Sequence, residues 1–289
     1  MLETNKEFKA IPFGWMRAIM LLVTYVLLLF VLNALFGKLI LRNAENDYLL
    51  LGYNVGCSLV AAVISVLVFT KFADKQPLRV LGLSVERHNT VINSLTGMAA
   101  ALFVLACGSF ILLIFGHLKI LERDWLPVPL VIYLFIMLGV ALAEELVFRG
   151  YILRNLMGSF NPVIALLISS LLFAGLHVMN NHFNVMAFLG IFSAGMVIGV
   201  NYIFTKNIWY AVVFHWLWNF FQGPILGYPV SGIAINSQFI QDLQGPDWLT
   251  GGAFGYEASV FVILLNTAIF LFLYKQYSTK FKVSHLPNF

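Results

Sequence analysis

Three ionisable side chains stand close together in a segment that is otherwise apolar. Glu144, Glu145 and Arg149 lie within the run Val140–Leu156. Each ionisable side chain near the centre of a membrane helix costs about 2.5–3.5 kcal/mol on insertion scales. Spanning a membrane does not call for these groups, so we interpret the cluster as a functional site.

Helix geometry separates the roles of the two glutamates. Glu145 and Arg149 are four residues apart and share a helix face, so we expect an ion pair that offsets much of the cost of burying both. Glu144 is about 100° around the helix from Glu145 and is less well placed to pair with the arginine. An unneutralised carboxylate is the better acid–base catalyst, so Glu144 is the predicted general base.

Two further polar groups lie in later apolar runs. The first is Phe173–His177, and the second pairs His215 with Asn219, which are again four residues apart and share a helix face. Helix rise places Glu144, His177 and Asn219 roughly 18–22 Å from the inner end of their helices, and His215 about 12 Å from it. We therefore predict one buried hydrophilic site assembled from three helices.

The composition indicates the class of protein that holds this site. The chain has 289 residues, of which 61% are hydrophobic and only 10% are charged. Soluble globular proteins are about a quarter charged. The sequence therefore predicts an all-α, polytopic membrane helix bundle that forms a single integral-membrane domain over residues 1–289.

Apolar runs long enough to span a bilayer predict about eight transmembrane helices. Their approximate ranges are 17–37, 49–70, 91–116, 127–156, 162–178, 185–204, 207–222 and 257–274. Between the last two runs lies an outer segment, residues 223–256, which is rich in Gly and Pro and carries apolar side chains. We expect this segment to be a cap or a re-entrant segment rather than disordered.

The lysines and arginines orient the bundle. With both termini in the cytoplasm, 13 of the 17 basic residues fall on the inner side and 4 on the outer side. The positive-inside rule favours that orientation, and an even helix count agrees with it. The net charge of +4 follows from this bias. We therefore expect the basic residues to contact membrane lipid and expect no nucleic-acid partner. The inner set is Lys6, Lys9, Arg17, Lys71, Lys75, Arg79, Arg87, Arg149, Arg154, Lys206, Lys275, Lys280 and Lys282, and the outer set is Lys38, Arg42, Lys119 and Arg123.

Each polar group also has a purely structural interpretation. An intramembrane histidine is often a hydrogen-bonded packing residue, asparagine commonly joins membrane helices, and a buried Glu–Arg pair can be a brace alone. Gly195 and Gly199 have the spacing of close helix packing. The agreement in depth among the three polar groups favours a site over independent structural accidents.

The polar groups also resemble the motifs of a known family. The string from Glu144 to Tyr151 is similar to the EExxxR signature of the CPBP family of intramembrane proteases, which includes type II CAAX prenyl endopeptidases and bacteriocin-processing (Abi) proteins. Phe173–His177 resembles its FxxxH motif, and the run from His215 to Asn219 its HxxxN/D motif. The three motifs occur in the family's order, and they define a protease motif core over residues 142–219.

This resemblance implies hydrolysis of a peptide bond in a membrane-associated or lipidated protein or peptide. By analogy, Glu144 would activate water with help from His177, and His215 with Asn219 would stabilise the oxyanion. Glu145 and Arg149 would brace the site. The resemblance does not carry over a substrate, prenylated or not, and it implies an integral protein of a bacterial inner membrane.

The sequence is compatible with a site that holds a metal ion and with one that does not. Glu144, His177 and His215 are a plausible zinc set with an open fourth position, although the chain has no HExxH motif. Family members have been described both as metalloproteases and as metal-free glutamate proteases, and we favour the metal-free site.

The rival class is non-enzymatic. A proton-coupled transporter, or a membrane scaffold or immunity protein, could use buried carboxylates to relay protons or to sense a partner. The chain shows no inverted repeat and no matching pair of broken helices, which favours the protease.

Overall fold

The computed structural model describes residues 11–41, 47–85 and 87–281. Both chain termini, whose cytoplasmic location stays a prediction, lie outside these residues, as do Lys6, Lys9, Arg42 and Lys282. The long helices are α1 (Gly14–Leu41), α2 (Asp47–Val68), α3 (Arg87–Ile114), α4 (Pro127–Glu145), α6 (Pro162–Leu176), α7 (Val185–Thr205), α8 (Trp209–Phe220) and α10 (Val260–Lys280). The short elements are β1 (Leu118–Arg123), α5 (Arg154–Leu156), β2 (Phe239–Leu243) and α9 (Asp247–Thr250).

The predicted all-α membrane bundle is confirmed. Seven helical spans of the described chain are long and apolar enough to cross a membrane. Large apolar side chains on their outer faces are exposed, as at Phe30, which is 73% exposed, and Leu35, which is 66% exposed. Such a surface suits contact with lipid rather than water.

The predicted span 207–222 differs from the others. Its helix α8 has only 12 residues, fewer than the roughly 17 that a crossing needs. The backbone continues as a π-helical turn, Phe221–Ile225, that contains Pro224. Proline cannot donate the backbone hydrogen bond of a regular helix, so the α-helical pattern gives way here to the wider π-helical turn.

The predicted span 127–156 is also not one regular helix. After Glu145 the backbone widens into a π-helix, Leu146–Leu153, before α5 resumes the α-helical pattern. Seven residues of the π-helix, from Val147 to Leu153, are buried. Irregular helical turns of this kind occur frequently at functional sites.

Two glycines allow α6 and α7 to pack closely. A Cβ atom added at Gly195 would lie 3.0 Å from the Ser170 Cβ, and one at Gly199 would lie 2.3 Å from the Leu166 Cδ1. A side chain at Gly195 would press on Ser170, whose Cα lies 3.3 Å from the added atom, and one at Gly199 would displace the end of the Leu166 side chain. The spacing of the glycines therefore serves helix packing.

A buried ionic network closes one end of the bundle. Asp74, which is 1% exposed, contacts the Arg17 Nε at 2.8 Å and the Arg154 Nη1 at 2.9 Å, and it also accepts hydrogen bonds from the side chains of Tyr151 and Asn155. These contacts join the start of α1 and the turn after α2 to α5. We call this the Asp74 end.

The opposite end carries an ordered layer. The outer segment 223–256 folds, together with residues 257–259, into a set of turns, short helices and the strand β2, which we call the cap. Strand β2 pairs antiparallel with β1 from the connection between α3 and α4, with Leu118 opposite Leu243 and Arg123 opposite Phe239. This two-stranded sheet ties the cap to the bundle.

The orientation of the two ends is testable by labelling. Cys57 and Cys107 are free and can be replaced by alanine, and single cysteines can then be placed at Lys75, on the Asp74 end, and at Asp242, in the cap. From the charge distribution we expect an impermeant maleimide added to intact cells to label only the Asp242 position. Labelling of the Lys75 position instead would reverse the predicted orientation.

Candidate active site

The structure brings the six predicted side chains together near the centre of the bundle. Glu144 and Glu145 end α4, and Arg149 follows in the π-helix. His177 lies just after α6, and His215 and Asn219 lie on α8. Glu144, His177, His215 and Asn219 line one cavity, while Glu145 and Arg149 lie behind His215.

Four ionisable side chains form a continuous row. The Arg149 Nη1 contacts both carboxylate oxygens of Glu145 at 3.0 Å. The Glu145 Oε1 lies 2.8 Å from the His215 Nδ1, and the His215 Nε2 lies 4.0 Å from the Glu144 Oε2. The row runs from the packed interior at Arg149 to the cavity at Glu144.

The Arg149 end of the row is held from several sides. Arg149 is 1% exposed and Glu145 is fully buried. The Arg149 Nη2 donates a hydrogen bond to the Gly195 carbonyl at 3.1 Å, and the guanidinium lies 4.7 Å from the centre of the Phe173 ring. The same arginine therefore contacts α7 and α6 as well as its own helix, which suits a brace.

Glu144 differs from Glu145 in both exposure and pairing. Its side chain is 24% exposed, and its Oε2 has no hydrogen-bond partner in the described part of the chain. A carboxylate oxygen that is shielded yet unpaired retains its full capacity to accept a proton or a water hydrogen bond. Of the two adjacent glutamates, Glu144 is thus the one whose carboxylate is available.

Hydrogen bonds indicate which ring nitrogens of the histidines face the cavity. The His177 Nδ1 lies 2.8 Å from the Phe173 carbonyl oxygen, and the His215 Nδ1 lies 2.8 Å from the Glu145 carboxylate. Both partners only accept hydrogen bonds, so the Nδ1 of each histidine is the donor. The Nε2 of each ring is then the nitrogen that is left to contact groups in the cavity.

The cavity has a polar corner and an apolar wall. It measures about 170 Å³. Leu51 from α2, with Met137 and Val140 from α4, forms one side, and the cap contributes Val230, Ser231, Ile233 and Ile235. A small annex of about 40 Å³ continues between His177, His215 and Glu257. The arrangement suits a substrate segment that is largely apolar.

Three residues of this site were not predicted from the sequence. Glu257, from the cap, lines the annex and accepts a hydrogen bond from the Ser231 backbone N–H. The Asn180 side chain donates to the Ser231 carbonyl at 3.1 Å. Ser231 adopts a left-handed conformation with φ of 47°, so these two contacts hold a strained turn of the cap over the site.

Glu257 is a second protonatable group of the site. Burial raises the pKa of its carboxyl above the usual range, and the Ser231 hydrogen bond and the nearby His177 act in the opposite direction. The one signal in the sequence was a lone acidic residue at the start of the last apolar run, which also suits an ordinary helix terminus.

The zinc set considered from the sequence has no counterpart in this geometry. Among the residues that the structure describes, no group of three His, Cys, Asp or Glu side chains is arranged to hold a metal ion. Glu144, His177 and His215 share the cavity without forming a ligand set.

The model of the Rce1-like family, described as type II CAAX prenyl endopeptidase Rce1-like, matches residues 126–221. That segment contains all six predicted site residues. The match covers about a third of the chain and supports the assignment of this segment, the motif core, to that family. A search of curated proteins finds no match to the chain.

The family match confirms the resemblance seen in the three motifs. It supports a CAAX-type intramembrane endopeptidase in general, acting in a membrane on peptide or protein substrates. The Rce1-like segment ends at residue 221, so the whole cap, including Ser231 and Glu257, lies beyond it.

Proposed function

We propose that this protein hydrolyses a peptide bond inside the membrane, with Glu144 as the general base. The observation that carries the proposal is the available Glu144 carboxylate, which faces a cavity shared with His177, His215 and Asn219. Amide hydrolysis needs a base for water and hydrogen-bond donors for the developing negative charge, and this cavity supplies both.

In the proposed first step, Glu144 accepts a proton from a water molecule as the oxygen of that water attacks the scissile carbonyl carbon. His177 lines the same cavity. Its Nε2 accepts a hydrogen bond from the other O–H group of the water. Collapse of the tetrahedral intermediate then breaks the C–N bond. Glu144 returns its proton to the leaving amine.

The negative charge on the carbonyl oxygen is stabilised by two donors. The Asn219 amide has N–H groups to offer, and Asn219 is 5% exposed, so a hydrogen bond from it acts in a water-poor environment. The His215 Nε2 is the second donor when its ring carries two protons. The row Arg149–Glu145–His215–Glu144 then alternates in sign and has no net charge, which lowers the cost of burying it.

The substrate in this proposal is a membrane-associated or lipidated protein or peptide. Leu51, Met137 and Val140 make the cavity apolar on the side of α2 and α4. A prenylated CAAX segment and an unmodified apolar peptide both suit that wall. Comparing a farnesylated CAAX peptide with the same peptide lacking the farnesyl group would separate the two classes.

The transporter alternative finds less support in the packing. Between the cavity and the Asp74 end lie Phe148, Tyr151 and Leu153, each no more than 1% exposed. A transporter opens its site to each side of the membrane in turn, so transport would require these packed side chains to separate.

Asn219→Ala tests the oxyanion donor. We expect this substitution to lower kcat for an internally quenched farnesylated CAAX peptide in detergent micelles by about 10²–10³-fold, with little change in KM. The matched control is Asn266→Ala, because Asn266 is equally buried but bonds to Ser193 on the far side of α7. An unchanged kcat in Asn219→Ala would remove Asn219 from the mechanism.

A further inference from the structure

A second, larger cavity lies at the Asp74 end of the bundle, away from the active site. Its volume is about 510 Å³. It is bounded by the start of α1, the turn between α2 and α3, α5 and the end of α7. The basic and phenolic side chains that line it are Arg17, Arg79, Arg154, Tyr202 and Lys206.

The wall of this cavity is strongly positive. Four cationic side chains line it, and Asp74 is the carboxylate that contacts them among the described residues. Asp74 lies in ion pairs with Arg17 and Arg154, but not with Arg79 or Lys206. The lining and its buried carboxylate therefore carry a net charge of +3.

The Arg17 guanidinium already forms an ion pair and hydrogen bonds within the protein. It contacts Asp74 and Asn155, and it donates to the backbone carbonyls of Ile11 and Pro12. It therefore anchors the N-terminal end of α1 rather than facing the cavity with free donors.

Other donors of the cavity remain available. Arg154 contacts Asp74 through Nη1 and is partly exposed, and Arg79 is exposed at the mouth. Tyr202 is 1% exposed, and its hydroxyl has no hydrogen-bond partner in the described part of the chain. A buried, unpaired hydroxyl costs free energy unless something in the cavity accepts its hydrogen bond.

We propose that this cavity binds a phosphate group. A phosphate offers several acceptor oxygens to the Arg79 and Arg154 guanidinium groups and to the Tyr202 hydroxyl at once, and its charge offsets the positive wall. The cavity lies where the helices end, at the level of lipid headgroups. An anionic phospholipid and a free phosphate ester share this chemistry, and the experiment separates them.

Lys206 adds a pH dependence to this site. The surrounding protein lowers the pKa of its ammonium group to about 8 by desolvation. A bound anion favours the charged ammonium, so binding takes up a proton near that pH. The charged and titratable groups that line this cavity with Lys206 are Arg17, Arg79, Arg154 and Tyr202, and Tyr277 and Lys280 line a neighbouring cavity that Lys206 also borders. Phosphate affinity is therefore expected to fall as the pH rises through about 8.

Thermal unfolding of the purified protein in a neutral detergent tests the proposal. One arm adds inorganic phosphate against sodium chloride of equal ionic strength, and the other adds short-chain phosphatidylglycerol against phosphatidylcholine. We expect the Tm to rise by about 2–4 °C with phosphatidylglycerol. A rise with both probes means that a free phosphate suffices, and a rise with the lipid alone assigns the site to a headgroup. No rise in either arm above its control would overturn the proposal.

Two variants and a matched control identify the cavity as the place of binding. Tyr202→Phe removes only the unpaired hydroxyl, so the Tm without ligand should hold or rise while affinity for the anionic probe falls about tenfold. Arg79→Gln should weaken binding by a similar factor. Lys275→Gln makes the same charge change on exposed α10, outside this cavity, and should leave affinity unchanged. Equal affinity in all three variants would contradict the assignment to this cavity.

Discussion

Glu144→Gln is expected to lower the turnover of a cleaved peptide by about 10²–10⁴-fold, because glutamine keeps the shape of the side chain but cannot accept the proton of the attacking water. The Tm should change little. The Glu144 Oε2 has no hydrogen-bond partner to lose, and the side chain is 24% exposed in the cavity. Steady-state cleavage of the quenched peptide, with the Tm measured on the same preparation, checks both parts.

Glu257→Gln is the matched control for this prediction. It makes the same change at the other carboxylate of the cavity, and the amide oxygen can still accept the hydrogen bond from the Ser231 backbone. We expect this variant to retain most of the turnover. If Glu257→Gln abolishes cleavage and Glu144→Gln does not, the base is the glutamate of the cap and the proposed mechanism is wrong.

Arg149→Met is expected to lower the free energy of unfolding by about 3–5 kcal/mol, because it leaves a fully buried carboxylate with His215 as its one remaining ionisable partner among the described residues. Glu145 is 0% exposed, and both of its oxygens contact the guanidinium. The substitution also removes the hydrogen bond to the Gly195 carbonyl, which joins the π-helix to α7. Folded yield in detergent and the Tm are the measurements.

The control for this second prediction is Arg154→Met, a few residues further along the same chain segment. Its carboxylate partner, Asp74, keeps the ion pair with Arg17, so the loss should stay below about 1 kcal/mol. The double variant Glu145→Gln with Arg149→Met removes both charges and should recover part of the lost stability. If Arg149→Met is as stable as Arg154→Met, the buried pair does not brace the site.

Much of the fold could be predicted because the membrane leaves the chain few options. A segment in lipid must satisfy its own backbone hydrogen bonds, so long apolar runs become helices whatever their neighbours are. The helical repeat also places Glu145 beside Arg149, since residues four apart share a face. Glu144, His177 and Asn219 lie at similar distances from the inner ends of their helices, which predicted that their side chains could meet.

The sequence by itself thus determined the membrane bundle, its approximate spans and the family of its motif core. Only the tertiary structure decided that His215 bonds to Glu145 through Nδ1, that α8 stops after 12 residues, and that Glu257 reaches the site from the cap. It also decided the cationic cavity at the Asp74 end. These features depend on how helices distant in the chain approach and rotate about one another. That arrangement is set by packing among all of the helices and leaves no local repeat in the sequence from which it could be predicted.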